Sequence, residues 1–97
     1  MNYNFEWDPA KATSNLQKHG VSFSRAAQVF LDPLMLSLYD EEHGEDEDRW
    51  VTMGVDRNDV LIVVIHTYKG MDDENTTARI ISARKATKQE AKDYEER

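Results

Sequence analysis

Apolar residues change their spacing along this chain, and the change divides it into a helical part and a strand part. Asn4-Phe5-Glu6-Trp7 alternates polar and apolar positions and predicts a short strand. Asp8-Pro9 then predicts a helix start, with Asp as the N-cap and Pro at the first helical position. That helix runs through Lys11, Asn15 and Lys18 and stops at His19-Gly20, where cations suit the last turn and glycine suits the exit. Ser22 is placed to cap a second helix. Phe23, Ala26, Ala27 and Phe30 give it one apolar face, and Val21 with Ala26 fits a hydrophobic staple. Asp32-Pro33 closes it.

From Leu34 onward the pattern is that of strands. Leu34 to Tyr39, Arg49 to Val55, Val60 to Tyr68 and Thr77 to Lys85 are the candidates, and Val60 to Tyr68 is hydrophobic enough to be central. Asp56-Arg57-Asn58-Asp59 predicts a turn, and Lys69 to Thr76 a longer polar loop. Successive strands without intervening helices favour an antiparallel meander. Thr87-Lys88-Gln89-Glu90 has the form of a capping box and opens a last helix, from Lys88 to about Glu95. The predicted fold class is α+β: an N-terminal short strand and two helices, an antiparallel β-sheet meander, and a C-terminal helix. One domain over residues 1–97 is expected. Helices on one face would leave the other partly open as a concave ligand surface.

Charge at first argues against a nucleic-acid partner, because the net charge is −7. Its distribution weakens that argument. Asp40, Glu41, Glu42, Glu45, Asp46, Glu47 and Asp48 put seven acids into nine residues, and without them the chain is neutral. A basic cleft on an acidic body is therefore possible. The acidic run lacks the ligand spacing and glycine of an EF-hand loop, so a solvated loop is expected there and no metal. Cysteine is absent, which removes disulfides, thiolate sites and a cysteine nucleophile. Neither a membrane-length apolar run nor a signal pattern is present, and a cytoplasmic location is the expectation, with no membrane partner.

The candidate chemistry gathers at Arg79-Ile80-Ile81-Ser82-Ala83-Arg84, a β-branched stretch with an arginine at each end. Arginine grips anionic groups through a fixed fork of donors, so the pair reads either as surface ion pairing or as a phosphate site. Side chains alternate along a strand, so arginines five apart face opposite ways. Either a bulge or strand end re-aims one, or the two differ in role and one ties the sheet to a helix carboxylate such as Glu90.

These residues also resemble a family. Phe5-Glu6-Trp7-Asp8, Lys11, Asn15, Lys18-His19-Gly20-Val21, Phe23, Ala26, Val29-Phe30 and Asp32-Pro33 are similar to the opening of BrnT-type toxins. Arg49, Gly54, Val63-Val64, His66, the Arg79 to Arg84 stretch, Ala86, Glu90 and Tyr94 continue the likeness over nearly the whole chain. The resemblance implies a RelE-like fold and the toxin of a type II toxin–antitoxin pair. It implies a ribonuclease that arrests translation and a partner, the BrnA-like DNA-binding antitoxin of ribbon-helix-helix type, which represses the operon with the toxin. No cofactor is implied.

Metal-independent RNA cleavage uses the substrate's own 2′-hydroxyl, and needs a base, cations for the phosphorane charge and an acid for the leaving oxygen. The expected catalytic set is Arg79, Arg84, Arg49 and His66, the histidine because it exchanges protons near neutral pH. Lys11, Asn15 and Lys18 fall on one helix face and, with His19 and Tyr94, form the expected RNA-binding set. Each has a plainer reading: His66 as a half-buried hydrogen-bonded side chain, His19 as a complement to the helix dipole, the Lys11 stripe as solvated surface, Tyr94 as a cap on the core. A toxin fold without catalysis, acting with its antitoxin in repression, is the alternative function.

Overall fold

The computed structural model describes residues 2–42, 48–70, 72 and 74–96. The centre of the acidic loop, with Glu45, Asp46 and Glu47, lies outside them. The elements run β1 (Asn2–Glu6), α1 (Pro9–His19), α2 (Phe23–Gln28), a single 3-10 turn (Val29–Leu31), β2 (Leu36–Tyr39), β3 (Arg49–Val55), β4 (Leu61–Lys69), β5 (Asn75–Lys85) and α3 (Lys88–Glu96). All the strands form one five-stranded sheet in the order β1-β5-β4-β3-β2. The last four make the expected antiparallel meander, and β1 joins its edge parallel to β5.

Local sequence accounts for most boundaries. Asp8 accepts from the Ala10 N–H at 2.8 Å, Pro9 opens α1, and Gly20 ends it in the left-handed region at φ 68°, which a side-chain-bearing residue avoids. Ser22 caps α2 by accepting from the Arg25 N–H at 3.2 Å. The second helix is shorter than its apolar spacing suggests. It tightens at Val29 into the 3-10 turn, which buries Val29 and Phe30 in succession. β1 begins two residues before the alternating segment, because pairing with β5 extends it to Asn2.

The core lies between the helical segment and one sheet face. Val21, Phe23, Ala26, Val29 and Phe30 pack with Ile62 and Val64 of β4 and with Ala78, Ile80 and Ala83 of β5. Backbone comes close where β3 passes beneath this layer: a Cβ on Gly54 would stand 2.9 Å from a Val29 methyl and 3.1 Å from the Asp32 carboxylate. The second sheet face is covered only in part. There α3 lies over the apolar end, and Leu36, Leu38, Val51, Met53 and Val63 line a groove of about 290 Å³ beside Glu90 and Asp93. Among the described residues, no helix is long and apolar enough to cross a membrane.

Candidate functional site

The uncovered end of the second face carries a polar row that crosses the sheet. Arg49 of β3 lies opposite Thr67 of β4, Thr67 opposite Arg79 of β5, and Arg79 opposite Glu6 of β1. Residues directly opposite in a ladder project to the same side, so all of these share one face. Arg49 and Arg79 stand on either side of Thr67, two strand spacings or about 10 Å apart at the backbone. Both guanidinium groups can therefore reach one anion. Thr67 is buried at 5% exposure, whereas the Arg79 side chain is 42% exposed. Nη1 of Arg79 is 3.4 Å from Oε1 of Glu6, and Nζ of Lys69 is 3.7 Å from the same oxygen.

A bulge puts both arginines of the central motif on this face. Ile65 pairs with Ser82, but His66 pairs with Ile80, and Ile81 is the extra residue between them. Arg79 consequently sits opposite Thr67 and Arg84 opposite Val63, which are same-side positions on β4. They do not converge. Four positions on β4 separate them, about 13 Å. Arg84 instead holds Glu90 of α3 with both arms of its fork, at 2.7 and 2.9 Å. Glu90 also accepts from the Thr87 N–H at 2.9 Å while the Thr87 hydroxyl accepts from the Glu90 N–H at 3.2 Å, a complete capping box. The Arg84 guanidinium holds the Glu90 carboxyl down at about 2. The bulge and the helix tie, posed as alternatives by the sequence, are both present.

Asn15 explains how the sheet continues past the end of β1. β1 stops pairing at Arg79, and Asn15 takes over the exposed edge of β5 beyond it. Its side-chain amide donates to the Ala83 carbonyl at 2.8 Å and accepts from the Ala83 N–H at 3.1 Å, as a neighbouring strand would. It also donates to the Val21 carbonyl at 3.0 Å. Asn15 is thus buried and its polar atoms are spent on backbone, which corrects its assignment to an RNA-binding stripe. Lys11, Lys18 and His19 remain exposed. With Ser14 they line a shallow cavity of about 180 Å³ that reaches the bulge at Ile81 and Ser82. Ser82 lies on the same face as Arg79, and the cavity meets the sheet at the bulge.

His66 and Tyr94 are placed elsewhere. His66 is fully buried on the core face, between the rings of Phe30 and Tyr68 at 4.9 and 4.8 Å. Its Nε2 hydrogen-bonds the Thr52 hydroxyl at 2.6 Å, which in turn bonds Ser37 at 2.8 Å. Burial pushes its pKa down to about 4, so it is neutral at pH 7. The sheet itself separates it from the arginines, which corrects its grouping with them. Tyr94 donates to the Asp32 carboxylate, which also accepts from the Val55 N–H at 3.0 Å. Val55 ends the strand that Arg49 begins, about 20 Å away, so Tyr94 anchors α3 at the far end of the sheet.

Thr67 and Lys69 share this face without a signal of their own in the sequence, and Glu6 is part of the family likeness without a role assigned by it. Each is an ordinary polar position on its strand, and only the parallel pairing of β1 with β5 brings Glu6 to Arg79. Among the described residues, no group of three His, Asp or Glu side chains is arranged to hold a metal ion.

Comparison with known proteins agrees with this architecture. The family model described as the ribonuclease toxin BrnT of type II toxin–antitoxin systems matches residues 7–90. The crystal structure of the Brucella abortus ribonuclease toxin BrnT superposes with a TM-score of 0.64 at 23% identity, over 90% of this chain and all of that one. No curated protein matches the chain. The structural likeness shows a shared fold. The family model begins just after β1 and runs into the start of α3, and the chain therefore belongs to the BrnT ribonuclease toxin family of type II toxin–antitoxin systems.

Proposed function

We propose that this toxin cleaves RNA at the Arg49-Thr67-Arg79 row, arrests translation in the cytoplasm and is neutralised by a BrnA-like antitoxin. The observation that carries the reading is the row itself: two arginines flank a threonine on one sheet face, with exposed Lys11, Lys18 and His19 around a cavity at the bulge of the same strand. Such a face binds a spread anion while the exposed lysines attract the backbone beside it. The cations for the developing phosphorane charge come from arginine, so the proposed reaction is metal-independent and RelE-like in kind. Arg84 has a positioning role, since it holds the strand to α3 through Glu90.

Induction of the chain alone in bacteria tests this. The wild type is expected to arrest growth, and Arg79→Ala to relieve the arrest at equal protein level. Co-expression of a basic ribbon-helix-helix antitoxin is expected to restore growth as well. The alternative, an interaction module without catalysis, draws support from the carboxylates already bound to Arg79 and Arg84. It predicts that the chain alone leaves growth unchanged.

A further inference from the structure

We infer that Glu6 is the base that takes the proton from the 2′-hydroxyl of the RNA; this rests on the ribonuclease reading above. The argument begins with reach. In RNA the attacking 2′-oxygen is a near neighbour of the scissile phosphorus. A base must therefore lie within hydrogen-bond distance of a group beside the bound phosphate. Oε1 of Glu6 is 3.4 Å from the Arg79 guanidinium that would hold that phosphate. The carboxylate is 35% exposed, open to a substrate yet partly screened from water.

Three other groups able to accept a proton are differently placed. His66 is on the opposite face with its ring buried. Glu90 is committed to Arg84 and Thr87. His19 closes α1 and lines the cavity by the bulge, not the cross-strand row. Glu6 alone among these is a carboxylate in the same row as both Arg49 and Arg79.

The step balances. The 2′-hydroxyl gives its proton to the Glu6 carboxylate as the 2′-oxygen bonds to phosphorus. The bond from phosphorus to the 5′-oxygen breaks, and that oxygen takes a proton from solvent. Glu6 returns its own proton to solvent. The products are a 2′,3′-cyclic phosphate and a 5′-hydroxyl, with no water consumed. Before the substrate enters, Arg79 at 3.4 Å and Lys69 at 3.7 Å both face Oε1 of Glu6. Phosphate then takes over the Arg79 fork and leaves the carboxylate to face the 2′-hydroxyl.

The test is the pH dependence of cleavage of a short single-stranded RNA by the purified protein. Glu6→Gln keeps the hydrogen-bonding shape and removes the base. It is expected to lower kcat about 100-fold or more, the scale of general-base catalysis, with KM little changed. The acid limb of the pH–rate profile should disappear with it. Glu6→Asp keeps the charge on a shorter arm; it is expected to retain the acid limb and to lose about tenfold or more in kcat through misplacement. It decides the matter if Glu6→Gln does not fold. A kcat within threefold of wild type in Glu6→Gln, with the acid limb intact while Arg79→Ala abolishes cleavage, would overturn the inference and leave the arginine site standing. Full activity of Arg79→Ala would overturn both.

Discussion

His66 is the residue whose environment has the clearest consequence for stability. Its ordinary value near 6.5 drops to about 4 because burial disfavours the charged ring. The unfolded chain therefore binds this proton before the folded chain does. Stability from His66 is fully present above pH 6.5 and is lost as pH falls toward 4, up to about 3 kcal/mol. Urea unfolding at pH 7 and pH 5 should show the fall, and His66→Gln should flatten it. The two arginines of the central motif separate at the same scale. Lysine keeps the charge and loses the planar fork. Arg84→Lys should lower stability by about 1 kcal/mol, since a partly exposed bidentate pair with Glu90 is broken, and should leave cleavage close to wild type. Arg79→Lys should slow cleavage by about 100-fold with unfolding unchanged. Denaturation and cleavage measured on both variants separate these outcomes.

Elements were the most legible level of the sequence, and two of them show where legibility ends. The cap of α3 was readable because a capping box is local: Thr87 and Glu90 satisfy each other's N–H groups within one turn. Thr87→Ala should cost about 1 kcal/mol in denaturant unfolding. Strand parity was equally local, and it left open whether a bulge brings Arg79 and Arg84 to one face. The bulge at Ile81 depends on how β5 pairs with β4, which no single strand encodes. Asn15 was misread for the same reason. Its helical spacing with Lys11 and Lys18 suggested a surface stripe, but its partners are Ala83, 68 residues away, and Val21. Asn15→Ala should leave the Ala83 N–H and carbonyl without protein partners in a buried site. A loss of about 3 kcal/mol is expected, together with faster amide exchange at Ala83.

Across the whole molecule, seven of the acids behind the net charge of −7 fall in one run of nine residues, Asp40 to Asp48, and the rest of the chain is neutral. That run joins β3 directly at Arg49, which shares the uncovered end of the second sheet face with Arg79 and Lys69. The helices leave that end open. α1 and α2 bury the first face, and α3 roofs only the apolar part of the second. Charge complementarity of this kind acts mainly on encounter rate, so RNA association should weaken steeply as salt rises. The central claim is that the arginine row performs the cleavage. Its most direct test is the single-turnover rate at which the purified toxin cleaves a defined RNA in the presence of a chelator, compared with Arg79→Ala and Arg49→Ala. The account predicts cleavage by the wild type and a loss of about 100-fold or more in each variant with folding intact. Equal rates in all three proteins would contradict it.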